Sequence, residues 1–569
     1  MTNSVANPVK ETKAQRAERL KRAVNPWASL EELRGFARRG FGAIPAEWIG
    51  TYLRWWGVYT QGDGAGVTGG ANGEGKAAPY FMVRVRVPNG AITAQQMRAV
   101  AEISREHARG TADFTVRQNI QLHWVTAESL PDVLDGLTRA GLTSMGACGD
   151  VTRNVTGCPL AGIDADELID ASPLVREVTA RLVGNAEFYN LPRKFKVSIS
   201  GCPAWCSYPE INDIGMTAVR RRRDGAIGFS VRVGGGLSTE PHLAARLNAF
   251  VRWEQVLPVV EAVASLFRDS EVLRQNRKRA RLKQLFLEHG WTPETFLDEI
   301  QRRLGFALDP AEPERVPSDV YRDHVGVHAQ KYPDLYYVGA SVLRGRTSAD
   351  QLHALASLAE RYGNGELRTT NMQNVLIPNV HAKNVERLAK ELEAIDLPAE
   401  ASVFWRGAIA CTGSEFCKLA LTETKAFSRW VVEELEERLP EFDQSFKLHV
   451  TGCPNSCGQH WIADIGIEGK KIKTDAGMID AYYFCVGGAV GLHAGIARPV
   501  GYRCPAAEVP EAIERLLRHY LAQRGAAENL RHYFGRHSND ELRTILAGRP
   551  TVAEERDKPE GSIPAGVAG

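Results

Sequence analysis

The chain has 569 residues, 44% hydrophobic and 24% charged, with 70 Lys and Arg against 68 Asp and Glu for a net charge of +2. That balance is globular rather than disordered or fibrous, and it leaves no global positive field of the kind that draws nucleic acid. The length exceeds one ordinary core, so three or four domains of about 150 residues are expected.

The first residues lack the apolar stretch of an export signal, and Glu11 and Glu18 do not suit an acidic-poor transit peptide, so a cytoplasmic protein is expected. Gln61 to Gly75 is too glycine-rich to pack and reads as a surface loop. Tyr80 to Val87 alternates as a strand, Gln95 to Arg109 has helical apolar spacing, and a further strand carries Thr115-x-x-Gln118-Asn119. Lys194 to Ser200 alternates again and stops at the turn Gly201-Cys202-Pro203. Leu308 to Pro317, rich in Pro and acidic residues, is the linker candidate.

Beyond it the order begins again: strand Tyr336 to Ala340, helix Ser348 to Tyr362, Thr370-x-x-Gln373-Asn374, strand Ser445 to Thr451 and turn Gly452-Cys453-Pro454. Asp213-Ile214-Gly215 returns as Asp464-Ile465-Gly466, so the chain contains itself twice at an offset of about 250 residues. The longest apolar stretch, Tyr482 to Ala497, is broken by glycines and His493 and fails as a membrane span. The expected division is an N-terminal extension with the glycine-rich loop (1–76), a first strand-helix-strand unit (77–144), a larger unit (145–307), a linker (308–330), their repeats (331–400 and 401–549) and a loose tail (550–569).

Ten cysteines without an export signal argue for metal chemistry before disulfides. The strongest set is Cys411-x5-Cys417 with Cys453-x3-Cys457: four thiolates on two loops suit a 4Fe-4S cube, whose corners need one soft anionic ligand each. Zinc is the rival, although a five-residue gap is wide for a zinc knuckle. The first half keeps Cys202-x3-Cys206, but Cys148 and Cys158 stand ten positions apart, so that copy reads as degenerate, its cysteines packing as small apolar residues. Cys485 and Cys504 have no partner pattern.

Cys411-x5-Cys417 with Gly452-Cys453-Pro454-Asn455-Ser456-Cys457-Gly458-Gln459 resembles the cluster signature of the assimilatory nitrite and sulfite reductases, over nearly the whole chain from about Trp55 to Gly535 and including the duplication. The resemblance implies an α+β fold: two ferredoxin-like half-domains forming one domain, and two pseudo-symmetric α/β domains for sirohaem and a 4Fe-4S cluster. It makes Cys457 the thiolate shared between cluster and haem iron, with Asn455 beside it. Arg84, Arg153, Lys194 and Lys196 match the family's substrate-contacting positions, while Arg117, Gln118, Asn119, Gln121 and His123 resemble its sirohaem-contacting strand. His123 reads equally well as a hydrogen-bonded structural residue.

Sirohaem carries eight carboxylates and the substrate is an anion, so the site must be locally basic. Lys194 and Lys196, two apart on an extended segment, share a face that Arg193 does not. No G-x-G-x-x-G opens a strand-turn-helix unit, so electrons are expected from a separate carrier, by resemblance ferredoxin.

Cys411-Thr412-Gly413 and Cys457-Gly458-Gln459 look like the nitrite branch, whereas Lys196 looks like the sulfite branch and suits a more highly charged anion. Nitrite reduction is the preferred expectation, sulfite reduction the alternative, and a non-catalytic sirohaem-binding sensor a more distant one. The runs Arg220-Arg221-Arg222-Arg223 and Arg274-x-x-Arg277-Lys278-Arg279-x-Arg281 could in principle meet nucleic acid, but ferredoxin or cofactor carboxylates explain them as well, and no nucleic-acid or membrane partner is expected.

Overall fold

The computed structural model describes residues 11–66, 75–202, 204, 206–314, 322–475 and 477–548. The expected tail and most of the glycine-rich loop lie outside these residues.

The expected half-domains share one core. The first builds an antiparallel sheet in the order Val58–Gly62, Ala77–Val85, Ile120–Val125, Thr111–Phe114, and its last neighbour is Arg346–Ser348 from the second half. The second reciprocates: Gly326–Ala329, Leu335–Ala340, Val375–His381 and Glu366–Thr369 are completed by Ala91–Thr93 from the first half. Each donated strand runs directly into a helix, Ala94–His107 or Ala349–Tyr362, through a capping box of Thr93 with Gln96 or Ser348 with Gln351. The amphipathic helices press Met97, Val100 and Ala101 against Leu352, Leu355 and Ala356 in one hydrophobic cluster. A single domain from two half-domains is therefore enforced by strand exchange.

The two larger units repeat one topology. Thr156–Gly157, Val197–Ser200 and Ile214–Arg220 are parallel neighbours, extended by the antiparallel strands Ile227–Val233 and Ala245–Arg252. Their images are Ala408–Ala410, Leu448–Thr451, Ile465–Thr474, Gly477–Val486 and Arg498–Pro505. Each sheet has its own buried cluster, with Val259, Val263 and Phe267 packing in the first and Leu435, Leu516 and Tyr520 in the second.

Four expectations shift. Thr115-x-x-Gln118-Asn119 is not on a strand but closes the turn between two, with Gln118 left-handed at φ 57 and its N–H donating to the Thr115 carbonyl at 3.0 Å. The regular strands begin at Val197 and Leu448, after an extended lead-in that bears Lys194 and Lys196. The segment 1–76 is not an appendage: Val58–Gly62 is an edge strand, Leu33, Leu53 and Trp56 join the half-domain core, and buried Gln61 accepts the Trp124 N–H at 2.6 Å. The linker's described start is laced down, Asp309 pairing with Arg221 at 2.7 Å and Arg252 at 2.9 Å, and Glu314 with Arg232 at 2.5 Å.

Candidate active site

Parallel neighbouring strands release their chains at the same end of a sheet, which brings residues distant in sequence together. Cys411 follows Ala408–Ala410, while Cys453 and Cys457 lie in the turn after Leu448–Thr451, its parallel neighbour. The single helical turn Gly413–Phe416 then carries the chain back to Cys417. Two glycines make these loops possible. Gly413 sits at φ +65, where a Cβ would meet Thr424 Oγ1 at 2.5 Å, and a Cβ on Gly458 would meet the Val450 carbonyl oxygen at 2.3 Å.

The Gly452 N–H donates to Cys411 Sγ at 3.3 Å and the Asn455 amide to Cys453 Sγ at 3.5 Å. Burial, and next the neighbouring Cys457, push the Cys417 thiol up to about 12 and raise Cys411 and Cys453 as well. Such a set stays protonated alone and becomes thiolate on a cationic metal centre. Cys457 is exposed while Cys453 is buried, so the thiol assigned to both cofactors is the one that faces outward. Among the described residues, the sets of three His, Cys, Asp or Glu ligand atoms within 4.8 Å of one another do not include these four cysteines. That wider spacing suits a cube with one sulfur at each corner and disfavours a single zinc ion.

The cationic groups gather around this face. Arg84 lies on Ala77–Val85 opposite Gln121, and its Nη1 reaches the Ala147 carbonyl and Cys148 Sγ, each at 3.4 Å. Burial alone would lower its pKa; Cys148, Tyr59 and Cys457 reverse that. Arg153 folds back on its own loop, bonding the Gly149 carbonyl at 2.7 Å and the Ala147 carbonyl at 3.2 Å. Lys194 is half-buried, and burial followed by Arg281 and Arg193 pushes its ammonium down to about 7, with Cys457 opposing. Lys196 is driven well below its usual range by burial, Arg117 and Lys194. Arg84, Arg153, Lys194 and Lys196 have no carboxylate ion pair among the described residues, so positive charge here awaits an anion.

A buried network holds this face in place. Asp150 takes Arg277 at 2.5 Å, Arg193 at 3.2 Å and Lys21 at 3.5 Å, and Lys21 also pairs with Glu18 at 2.5 Å and donates to the Leu191 carbonyl at 2.8 Å. The helix Lys13–Ala23 thus anchors both loops that present Arg153 and Lys194. Arg193 is committed to Asp150 at 3.2 Å, unlike its two lysine neighbours.

The other expected cofactor residues divide. Arg117 lies near Arg153 and Arg84, donating to Asn212 Oδ1 at 2.7 Å and the Asn154 carbonyl at 2.6 Å. Gln121 shares the strand face of Arg84. Gln118 is fully buried with its amide committed to the Gly157 and Thr369 backbones, and Asn119 Oδ1 accepts the Val87 N–H at 3.5 Å. His123 bonds Asp113 at 3.1 Å and stacks on Phe416 at 3.9 Å, within a pair that also binds Arg346 at 2.9 Å. These three side chains are engaged structurally, which sequence spacing alone does not reveal. The basic runs are internal in part: Arg274 meets Glu18, Arg277 meets Asp150, Arg281 meets Asp213, and Arg221 meets Asp224 and Asp309, whereas Arg220, Arg222, Arg223, Lys278 and Arg279 are exposed.

Arg86 completes the basic wall and was not among the expected residues; Arg281, from the second basic run, acts on Lys194 and Arg117 while pairing with Asp213. Arg86 is 2% exposed, its Nε and Nη2 have no partner, and burial followed by Arg153 lowers it to about 9. Arg84 Nε and Arg117 Nε are likewise buried without a partner, and Arg117 is lowered to about 9 by burial, Arg153, Arg281 and Arg84. Arg86 stands two residues from Arg84, just past the end of the same strand, so alternation alone would offer it beside Arg84. Orphaned guanidinium nitrogens are what a polycarboxylate requires, so these residues fit sirohaem.

Comparison with known proteins agrees. The nitrite and sulphite reductase 4Fe-4S domain matches residues 148–308 and 404–549, and the nitrite/sulfite reductase ferredoxin-like half domain matches 74–140 and 328–395. An assimilatory ferredoxin-dependent nitrite reductase of Haloferax mediterranei is 37% identical over 540 residues, covering 89% of each chain. A sulfite reductase [ferredoxin] of Mycobacterium tuberculosis is 36% identical over 536 residues, 92% of this chain and 95% of the other. The structure of the Mycobacterium tuberculosis NirA protein superposes with a TM-score of 0.88 at 36% identity, covering 94% of this chain and 98% of that one. Among the described residues no helix is long and apolar enough to cross a membrane. With four family matches in duplicated order and the four cysteines in place, the chain belongs to the ferredoxin-dependent nitrite and sulfite reductases, which carry sirohaem and a 4Fe-4S cluster.

Proposed function

We propose that this protein reduces nitrite to ammonia, with ferredoxin as electron donor and Arg84, Arg153, Lys194 and Lys196 as the groups that hold the anion and supply protons. The observation that carries the reading is the convergence of these four carboxylate-free cations with the exposed Cys457. Nitrite takes up six electrons and eight protons to give ammonium and two waters. When bound, the sirohaem and cluster would supply the electrons and the iron that takes the anion. The protein's own side chains must do the rest.

Arg84 and Arg153 present planar guanidinium forks that orient the two oxygens. Lys194, titrating at about 7, can release a proton as charge develops on a departing oxygen and be recharged from solvent between steps. Burial, Arg117 and Lys194 hold Lys196 well below the ordinary lysine range, so its ammonium is favoured only as anionic charge arrives beside it. The glycines beside Cys411 and Cys457 do not bear on the choice of anion, since loop packing alone demands them.

Sulfite is the second reading, favoured by the very presence of Lys196. Steady-state turnover of each anion with one reduced ferredoxin, following ammonia or sulfide, separates the two. A higher kcat/KM for nitrite supports the proposal; a clear preference for sulfite overturns it.

A further inference from the structure

The first-half cysteines do more than pack. Cys158 follows Thr156–Gly157 as Cys411 follows Ala408–Ala410, and both strands run parallel to the one that delivers the second cysteine pair. Cys202 and Cys206 thus correspond to Cys453 and Cys457, and Asp164, six residues after Cys158, takes the place of Cys417. The degenerate copy retains three thiols, not two.

Their geometry differs from that of the cluster site. Cys158 Sγ and Cys206 Sγ are 3.5 Å apart, and both lie within 4.8 Å of a His324 ring nitrogen. Cys158, Cys202 and Asp164 form a second set within 4.8 Å. Thiolates about 2.3 Å from a tetrahedral zinc stand somewhat under 4 Å from each other, which the 3.5 Å separation matches. A cube would hold them farther apart.

His324 supplies the independent observation. It is 5% exposed, and neither ring nitrogen has a hydrogen-bond partner. Burial keeps the ring neutral, so a lone pair faces the thiols. Asp164 is already engaged, with Arg322 at 3.4 Å and the Asp166 N–H at 3.0 Å. The Leu160 N–H to Cys158 Sγ and the Ala204 N–H to Cys202 Sγ, each 3.4 Å, are the sulfur contacts that steady a metal-bound thiolate.

We propose that Cys158, Cys206 and His324, which lie together, and Cys202, which stands within 4.8 Å of Cys158 but not of the whole trio, form a structural zinc site, distinct from the iron-sulfur centre. His324 stands just before Gly326–Ala329, the edge strand of the second half-domain, so the ion would tie the entry to the second half onto the first-half cofactor loops. It needs no electron or substrate and does not depend on the choice of anion.

The test is elemental analysis of the purified holoenzyme, wild type and variant, with zinc-edge X-ray absorption. We expect about one zinc per chain, bound by sulfur at about 2.3 Å and one nitrogen at about 2.0 Å. His324→Ala and Cys158→Ser should each lose most of the zinc, at unchanged iron, with a lower melting temperature. Should Cys158→Ser fail to fold, His324→Ala decides. Wild type without zinc, zinc that survives His324→Ala with an unchanged absorption spectrum, or iron falling by about four in Cys158→Ser, which would mean a second cube, each overturns the assignment.

Discussion

Gln118 and Gln373 are images of each other. Gln118 donates its amide to the Gly157 carbonyl at 3.1 Å and, across the pseudo-dyad, to Thr369 at 3.2 Å, while accepting the Gly157 N–H at 3.2 Å. Gln373 donates to Ala410 at 3.2 Å and, across the same axis, to Phe114 at 3.0 Å, while accepting the Ala410 N–H at 3.1 Å. Each stitches a half-domain turn to the strand that ends in a cysteine, Cys158 in one case and Cys411 in the other.

Replacing either glutamine by leucine strands buried backbone groups. Gln118→Leu should lower stability by about 1–3 kcal/mol for each group left unpaired, in urea unfolding, with the cluster retained. Gln373→Leu should also cost cluster iron, because its turn supports Cys411. Equal iron in both variants would refute that asymmetry.

Asp150 is the keystone of the N-terminal network. Burial alone would raise its carboxyl, but Arg277, Lys21 and Arg193 hold it far below the usual range. Its stabilisation is present above the unfolded value of about 3.9 and is lost as pH falls below it. Asp150→Asn should destabilise by about 2–4 kcal/mol at neutral pH, because buried Lys21 and the half-buried Arg193 and Arg277 lose a buried anion, and should flatten the fall in stability on acidification. Thermal unfolding across pH 7 to 3 reads both.

Lys194 should set a basic limb. The ammonium form is populated below about 7, so kcat/KM falls as pH rises through that value. Lys194→Arg should move the limb upward, and Lys194→Met should lower kcat by about 10²-fold or more and remove it. Cofactor carboxylates can only raise the limb, since they favour the charged form. For the cofactor-free protein the depressed folded value means fewer bound protons than in the unfolded chain between about 7 and 10.4, so stability rises with pH across that window.

The architecture was largely legible because it is written twice: the repeated Gly-Cys-Pro turns and Thr-x-x-Gln-Asn signals locate both halves. What spacing could not convey was the exchange of Ala91–Thr93 and Arg346–Ser348 between half-domains, since three-residue edge strands carry no periodic signal. The two loops that carry Cys411, Cys417, Cys453 and Cys457 were legible as well, and parallel neighbouring strands deliver them. Gln118 was expected to face the cofactor, and His123 either to do so or to be a hydrogen-bonded structural residue; Gln118 bonds Thr369, far along the chain, and His123 bonds Asp113, which in turn takes Arg346. Asp164 was missed because a carboxylate in a cysteine's place breaks the motif without breaking the loop.

Cys457→Ser should damage both cofactors together. Because one outward-facing sulfur is assigned to cluster and haem alike, absorption and iron content should fall in parallel. Full haem loading beside an intact cluster would refute the shared thiolate.

Whether the cleft's cations read the anion is tested most directly at Lys196, by kcat/KM for nitrite and sulfite on wild type and Lys196→Asn with one reduced ferredoxin at fixed pH and salt. Losses common to both substrates cancel in the ratio, and a screened charge contact of about 1–2 kcal/mol corresponds to roughly tenfold. We expect wild type to favour nitrite and the variant to raise the nitrite-to-sulfite ratio by about that factor. A wild type that prefers sulfite, or a ratio unmoved by the substitution, would contradict the account.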